Sequence, residues 1–136
     1  MGAVIDASFA ATLFLPDEGS ARAAEQFAVA AQSAVIAPVL WQIEITNILI
    51  MAQRRKRITT AVLGQLAAII DRLPVELELA LTPGQRGAVI NLALSHGLTA
   101  YDAVYLELAI RRGFVLLSLD SSLLKAARAL GVGLMV

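Results

Sequence analysis

Residues 3–15 read AVIDASFAATLFL, a short apolar run, one aspartate and a second, longer apolar run. Residues 3–6 have the length and composition of a buried strand. Residues 7–15 have helical length and stop before Pro16, which disfavours a continuing helix. A strand that is followed at once by a helix predicts the first unit of an alternating α/β fold.

The alternation continues to the end of the chain. Apolar runs predict further strands at residues 34–37, 75–79, 114–119 and 132–136. Amphipathic or capped segments predict helices at residues 18–32, 38–57, 59–73, 82–97, 99–113 and 121–130. Pro38 suits the first turn of its helix, and the alternating 75–79 strand is typical of a sheet edge. We therefore expect one domain, residues 1–136, with a three-layer α/β/α sandwich around a central parallel sheet of about five strands.

The composition of the 136-residue chain excludes several kinds of site. It has no cysteine and one histidine, so disulfides, cysteine-based metal sites and multi-histidine sites are excluded. Eleven basic and 11 acidic residues give a net charge of zero, which argues against a general polyelectrolyte binder but not against a local basic patch. The hydrophobic share of 58% exceeds the usual share of about 45–50% and predicts a buried partner interface.

The high apolar content also raises the question of a membrane segment. The longest uncharged run, residues 26–43, is interrupted by Gln32, Ser33, Pro38 and Gln42, whereas a spanning helix needs about 20 predominantly apolar residues. Residues 1–15 lack a basic start and contain Asp6, unlike a signal peptide. We expect a cytoplasmic protein that does not contact a membrane.

Four acidic residues each stand alone in an apolar segment. Asp6 is the only charged residue in 1–16, Glu44 in 26–53, Asp102 in 87–106 and Asp120 in 113–124. Ionised side chains are seldom buried without a partner, and no Lys or Arg lies in these segments. The compensating positive charge must therefore come from elsewhere.

Each acid also has a purely structural interpretation. Asp6 and Asp120 follow predicted strands and precede predicted helices, so either is suited to cap a helix N-terminus. Asp102 lies three residues after Thr99 in a capping-box pattern. Glu44 fits no cap because it shares a helix face with apolar neighbours; its structural alternative is a buried ion pair or an interface contact.

Taken together, the four acids favour a common site. Ligands of open α/β sheets bind at the carboxyl ends of the strands, where Asp6 and Asp120 fall, and Glu44 and Asp102 can converge there. Carboxylates within ~5 Å would repel by about 3 kcal/mol per pair at an effective dielectric constant of about 20. A hard divalent cation such as Mg²⁺ or Mn²⁺ relieves that repulsion and prefers oxygen ligands. The pattern predicts a carboxylate metal site that can orient water against a phosphodiester.

Four blocks of the sequence carry a family resemblance. They read VIDAS at 4–8, EITN at 44–47, LTAYDA at 98–103 and LSLD at 117–120. In this order and spacing they resemble the signature blocks of PIN-domain ribonucleases, most closely the VapC toxins of type II toxin–antitoxin modules, over essentially the whole chain. The resemblance implies a PIN-type fold, a Mg²⁺- or Mn²⁺-dependent endoribonuclease, an RNA substrate, a homodimer and a cognate antitoxin that blocks the active site.

The resemblance also implies roles for single residues. Catalytic and metal-binding roles fall by position on Asp6, Glu44, Asp102 and Asp120, of which the last is the most variable in the family. Side chains that orient these acids or hold water are, by the same reasoning, Ser8, Asn47, Thr99 and Ser118. Ser118 stands where many relatives carry threonine, and either hydroxyl can serve.

A dense basic run follows the Glu44 helix and consists of Arg54, Arg55, Lys56 and Arg57. It suits a contact with the RNA backbone or with an acidic antitoxin segment, and it equally suits a solvated helix end, where cations complement the helix dipole. Tyr101, beside Asp102, is a further candidate for lining the cleft. Tyr105 lies on an apolar helix face and is expected in the core or at a dimer contact.

Two other functions stay open. A receiver-like phosphoacceptor domain has a similar architecture, but it normally carries adjacent acids after its first strand and a lysine after a late strand. Asp6 has no acidic neighbour, and Lys125 falls on a predicted helix. The other alternative is a catalytically silent PIN-like binding module, against which the intact acids argue.

Overall fold

The computed structural model describes residues 2–134. Four strands form one sheet in this part of the chain: β1 (Ala3–Ile5), β2 (Val35–Pro38), β3 (Val75–Glu78) and β4 (Val115–Leu117). The helices of the same residues are α1 (Ala7–Phe14), α2 (Ala21–Ala31), α3 (Leu40–Arg54), α4 (Thr60–Ile70), α5 (Pro83–His96), α6 (Ala100–Arg112) and α7 (Ser121–Ala129).

The strands pair in the order β3-β2-β1-β4, and every pair is parallel. The short apolar β1 is central: Ala3 pairs with Val35 on one side and with Val115 on the other. The predicted edge position of the alternating strand is confirmed, since β3 ends the sheet and exposes Glu76.

The helices form two contacting groups. On one side α3 contacts α1 and α4, and α1 contacts α2; on the other side α6 contacts α5 and α7. Helix α6 also packs on β1, β2 and β4, where it buries Leu106 and Leu108. The predicted three-layer α/β/α sandwich with a parallel sheet is therefore confirmed.

The described residues form a four-stranded sheet, which is one strand fewer than the predicted number of about five. Of the strand expected at residues 132–136, a single parallel bridge between Leu134 and Leu116 is found, and residues 135–136 lie outside the described chain. Gly131 turns with a φ of 70°, and Gly133 lies close to the Val115 side chain, so the chain reaches this bridge through two glycines.

Pro38 is the clearest local departure from expectation. The sequence predicts it in the first turn of a helix, but it ends β2 opposite Glu78, and α3 begins at Leu40. The ladder needs no donor at Pro38 because the next amide, that of Val39, donates to the Glu78 carbonyl at 3.1 Å.

Helix α3 also ends earlier than predicted, at Arg54 rather than Arg57. Lys56 adopts a left-handed φ of 60°, and the Arg57 amide turns back to the Ala52 carbonyl at 2.9 Å. Helices α5 and α6 end where glycines predict, at Gly97 and Gly113, each with a φ of 64°. Within residues 2–134, no helix is both long enough and apolar enough to cross a membrane.

Candidate metal centre

The order of the strands places a crevice beside β1. The chain moves from β1 to β2 and β3 on one side, and β4 then joins β1 on the other side. This change of direction lies between β1 and β4, at whose carboxyl ends Asp6 and Asp120 stand. Such switch points are the usual ligand-binding positions of open parallel sheets.

All four isolated acids line one pocket at this edge, with a volume of about 270 Å³. We call it the acid pocket, and it is lined by Asp6, Ala7, Ser8, Glu44, Asn47, Ile48, Asp102, Tyr105 and Asp120. The acids come from the ends of β1 and β4 and from helices α3 and α6. Residues that are far apart in the sequence therefore meet in one pocket.

Asp6 is the most deeply buried of the four acids, with 5% of its surface exposed. Its Oδ1 accepts from the Phe9 amide at 2.9 Å, which caps α1, and from the Ser8 hydroxyl at 2.8 Å. Its Oδ2 accepts from the Ser118 hydroxyl. Burial raises the pKa of Asp6, and these three hydrogen bonds only partly oppose that shift.

Ser8 and Ser118 connect Asp6 to the loop after β4. The Ser8 hydroxyl oxygen accepts from the Leu119 amide at 3.0 Å, and the Ser118 oxygen accepts from the Asp120 amide at 3.0 Å. Each serine thus fixes the Asp6 carboxylate and the backbone beside Asp120 at the same time. The hydroxyls of Ser8 and Ser118 thus contact Asp6, one of the acids that the PIN-domain resemblance implies they orient.

Glu44 extends from the middle of α3 and is held by Tyr105 of α6. The Tyr105 hydroxyl donates to Oε1 of Glu44 at 2.5 Å. Burial raises the pKa of Glu44, the hydrogen bond from Tyr105 opposes this, and the charges of Asp102 and Asp6 raise it further. Tyr105 lies in the core, as predicted, but its hydrogen bond to the acid pocket was missed by the sequence reasoning. The available signal was its spacing of three residues from Asp102, which puts both on one helix face.

Asp102 stands in the first turn of α6 and is not itself the cap. Thr99 is the cap residue, and its hydroxyl oxygen accepts from the Asp102 amide at 3.2 Å. Burial raises the pKa of Asp102, and the charge of Asp120 raises it further. Thr99 therefore positions α6 and its acid from outside the acid pocket, whereas Asn47 lies in the lining itself.

Asp120 combines the two interpretations that the sequence left open. It caps α7, because its Oδ1 accepts from the Leu123 amide at 2.8 Å, and it also lines the acid pocket. The same is true of Asp6 on α1. Capping accordingly accounts for part of the environment of these two residues but not for the meeting of four carboxyl groups.

The acid pocket has a negative charge that the described residues do not neutralise. Ion pairs within residues 2–134 involve Arg57, Arg111 and Arg112, and none includes an acid of this pocket. The buried ion pair that served as the structural alternative for Glu44 is therefore absent from this part of the chain. The lining of the acid pocket contains no Lys or Arg. The pKa values of Asp6, Glu44 and Asp102 are each raised in part by the negative charge of at least one other acid of the pocket.

The donor set fits a hard divalent cation: carboxylate, amide and hydroxyl oxygens with uncompensated negative charge are the ligands of Mg²⁺ and Mn²⁺. As they stand, no three acidic side chains of residues 2–134 are close enough to enclose an ion. Both oxygens of Asp6, and one oxygen each of Glu44 and Asp120, accept hydrogen bonds within the protein. Side-chain rotation, or ligation through water, would be needed to hold an ion.

The other predicted contact residues lie outside the acid pocket. Arg57 is held by Asp17 at 2.7 and 2.8 Å and by Glu18 at 2.6 Å, so it ties the α3–α4 turn to the α1–α2 loop. The rest of the basic run, Arg54, Arg55 and Lys56, is exposed. Tyr101 is 63% exposed, one residue before Asp102.

The features of a receiver domain are not found in this pocket. Lys125 lies on α7 and is exposed, and it is not among the residues that line the acid pocket. A receiver-like phosphoacceptor would need a cation beside the acids at the strand ends.

The chain matches the family model of the PIN domain over residues 3–129. No curated protein matches it in sequence. A solved structure with a similar fold is that of PAE2754 from Pyrobaculum aerophilum, with a TM-score of 0.70, 22% identity, and coverage of 93% of this chain and 79% of that one. Another is that of VapC20 from Mycobacterium tuberculosis, a toxin that cleaves the sarcin–ricin loop. Its TM-score is 0.65 and its identity 19%, with coverage of 92% of this chain and 95% of that one.

At these identities, the two structures show a shared fold. The family model covers nearly the whole chain, and its span includes all four acids of the acid pocket. The chain belongs to the PIN domain family.

Proposed function

We propose that this protein is a Mg²⁺- or Mn²⁺-dependent endoribonuclease that hydrolyses phosphodiester bonds in RNA, and that it is the toxin of a VapBC-type toxin–antitoxin pair. The observation that carries the proposal is the meeting of Asp6, Glu44, Asp102 and Asp120 in one pocket without a compensating cation from the described residues. Membership of the PIN domain family and the fold shared with the toxin VapC20 support it.

The four acids would hold the metal. When bound, the ion supplies positive charge that polarises a phosphoryl oxygen and makes water more acidic. The role of the protein is to keep the oxygens in place: Ser8 and Ser118 hold the Asp6 carboxylate, and Tyr105 holds Glu44.

Proton transfer falls to a carboxylate oxygen that the protein leaves available. Asp102 is only partly buried, so an oxygen of its carboxylate that does not bind the metal would be within reach of water in the acid pocket, as a general base requires. We assign Asp102 as the general base: it would accept one proton from the attacking water, and the water oxygen would add to phosphorus as the bond to the leaving oxygen breaks. The leaving oxygen would take up a proton from solvent. Asn47, at the exposed rim of the acid pocket, would orient that water or the phosphate.

The proposed partners are RNA, a cognate antitoxin and a second copy of the chain, and the proposed location is the cytoplasm. The surface offers apolar area for protein partners: Ile43, Leu79 and Leu94 are 70%, 77% and 80% exposed. Apolar side chains of this size in contact with water favour association with another protein surface.

Incubation of the purified protein with total RNA in Mg²⁺, in Mn²⁺ and in excess chelator tests the proposal. Cleavage is expected with either metal and is expected to stop in chelator. Asp6→Asn and Asp102→Asn should abolish cleavage with an unchanged circular dichroism spectrum. Asp71→Asn, at an exposed position outside the acid pocket, is the matched control and should cleave normally.

Full cleavage by Asp6→Asn or Asp102→Asn, or full cleavage in chelator, would refute the nuclease assignment. A calorimetric titration with Mg²⁺ or Mn²⁺ distinguishes the nuclease from the remaining alternative, a catalytically silent binding module. Metal binding without cleavage of any RNA would instead indicate a silent binding module.

A further inference from the structure

A second pocket is lined in part by the loop after β4, whose Ser118 and Leu119 are hydrogen-bonded to Asp6 and Ser8 of the acid pocket. Its volume is about 360 Å³, and we call it the arginine pocket. Its lining consists of Phe9, Thr12, Ser20, Arg22, Ala23, Gln26, Leu116, Ser118, Leu119, Leu124, Arg128 and Leu134. Ser118 and Leu119 belong to the fourth sequence block, but Arg22 and Arg128 belong to none of the blocks and play no part in the proposed mechanism.

The pocket is positively charged. Arg22 and Arg128 are exposed, and neither forms an ion pair with any residue that the structure describes, whereas Arg57, Arg111 and Arg112 all do. No acidic residue is among those that line the pocket. Two guanidinium groups therefore line one cavity without an acidic partner among residues 2–134, and such groups bind phosphate strongly.

Helix stability does not explain Arg22. It stands in the first turn of α2, where the positive end of the helix dipole disfavours a cation. Arg128 stands in the last turn of α7, where a cation suits the dipole, so this residue alone would need no ligand. The unfavourable position of Arg22, opposite a second arginine, is what points to an anionic ligand.

The other walls of the pocket suit a nucleotide rather than a bare ion. Leu119, which is 57% exposed, and the half-buried Leu124 supply apolar surface beside the arginines, and the buried Phe9 and Leu116 lie beneath. A ribose or a base can pack on such surface while its phosphate meets the guanidinium groups.

The arginine pocket is connected to the acid pocket through Ser118 and Leu119. Ser118 lines the arginine pocket and donates to Asp6, and the Leu119 amide bonds to Ser8. The two pockets share no lining residue, but these hydrogen bonds join a lining residue of one pocket directly to a lining residue of the other. A strand with one phosphate over the acids would therefore have a neighbouring nucleotide close to the arginine pocket.

We propose that the arginine pocket binds a nucleotide of the RNA strand next to the bond that is cut, with Arg22 and Arg128 on its phosphate. This inference rests on the proposed ribonuclease function and deepens it, because it assigns a site for substrate positioning. An acidic protein segment is the other class of ligand that two arginines could bind. The apolar walls and the direct connection to the acid pocket favour RNA.

The test is the double variant Arg22→Gln/Arg128→Gln, compared with Arg72→Gln/Arg86→Gln. The control pair removes the same charge at two exposed arginines that line neither the arginine pocket nor the acid pocket. Binding of a labelled single-stranded RNA is followed by fluorescence anisotropy in Mg²⁺ at several salt concentrations, with Asp102→Asn present in all proteins to prevent cleavage. Steady-state cleavage is measured with Asp102 intact.

The Arg22/Arg128 variant should raise the Kd for RNA by about tenfold, and its salt slope should fall by about 1, as expected for lost phosphate contacts. In the cleavage assay KM should rise much more than kcat falls. The control pair should leave Kd, salt slope and KM unchanged.

Equal behaviour of the two double variants would overturn the inference while leaving the ribonuclease function intact. Loss of binding to polyglutamate with unchanged RNA binding would assign the pocket to an acidic protein segment and would also overturn it. If the wild-type protein and the control pair neither bind nor cleave RNA, the proposed function itself fails. This result is distinct from failure of the inference, because it is seen without the Arg22/Arg128 variant.

Discussion

The hydroxyl of Tyr105 and the carboxylate of Glu44 join helices α6 and α3 across the acid pocket through a 2.5 Å hydrogen bond. Tyr105 is 2% exposed, so core packing fixes the position of its hydroxyl. A donor that is fixed in this way favours the ionised form of Glu44 and selects one orientation of its side chain. The core of the domain thereby sets the geometry of one proposed metal ligand.

Tyr105→Phe should slow RNA cleavage by about tenfold, because loss of an outer hydrogen-bond partner of a metal ligand typically costs 10- to 100-fold in metal affinity or activity. The rate should recover partly at high Mg²⁺. The measurement is the cleavage rate as a function of Mg²⁺ concentration. Tyr101→Phe removes a hydroxyl from an exposed tyrosine of the same helix and should have no effect. Equal effects of the two variants would contradict the role of Tyr105.

Ser118→Ala should also lower the cleavage rate by about tenfold, since Asp6 loses a buried hydrogen bond and the Asp120 amide loses its acceptor. Ser118→Thr keeps the hydroxyl and should retain most of the activity. The two variants are compared in cleavage rate and in thermal midpoint. Similar losses in both would mean that the side-chain volume at this buried position matters rather than the hydroxyl.

Asp6→Asn should stabilise the metal-free protein at neutral pH although it abolishes cleavage. Burial raises the pKa of Asp6 in the fold. The folded state therefore binds more protons than the unfolded state between the unfolded pKa, about 3.9, and the raised folded pKa, and stability falls as pH rises through this window. Because asparagine carries no charge, Asp6→Asn should lose the part of the pH-dependent decrease in stability that comes from Asp6.

Urea unfolding in chelator, measured from about pH 4 to pH 8, checks this expectation. The exposed Glu25→Gln is the control and should leave the pH dependence unchanged. Added Mg²⁺ should stabilise the wild-type protein more than Asp6→Asn. An Asp6→Asn protein whose stability falls with rising pH as steeply as that of the wild type would contradict the raised pKa.

Arg57→Gln should lower stability, with a pH dependence of the opposite sign. The Arg57 guanidinium lowers the pKa of Asp17, so the contribution of this pair is present above the unfolded pKa of Asp17 and is lost as pH falls through its lowered pKa. High salt should also reduce the difference, because the groups are exposed.

The check for Arg57→Gln is the urea midpoint at neutral and acid pH, in low and high salt. Arg55→Gln removes a neighbouring exposed charge that has no ion pair in the described chain and should leave the midpoint unchanged. If Arg57→Gln leaves stability unchanged and only weakens RNA binding, Arg57 belongs to the binding surface instead.

The fold was predictable where local sequence and long-range packing agree. The glycines at 97 and 113 end their helices with left-handed backbones, and the apolar β1 is the centre of the sheet, as its composition indicates. The prediction for Pro38 was wrong because proline suits both the first turn of a helix and the end of a strand where no backbone N–H donor is needed. Pairing with Glu78 decided between the two, and local sequence does not contain that information.

The acid pocket was predictable for a different reason. Isolated acids in apolar segments stand out in a sequence, and parallel strands bring their carboxyl ends to one edge. The hydrogen bonds of Tyr105, Ser8 and Ser118 depend on side-chain orientation, which spacing alone does not fix. The arginine pocket was missed entirely, since Arg22 and Arg128 lie on helices that are distant in sequence and carry no motif.

The pairing of β1 with β4 joins residues that are distant in the sequence, Ala3 with Val115 and Ile5 with Leu117. In a growing chain Asp6 and Glu44 are made well before β4 and Asp120, and β1 has no neighbour on that side until β4 has been made. The acid pocket therefore cannot be complete before β4 has emerged, however early the other strands have paired.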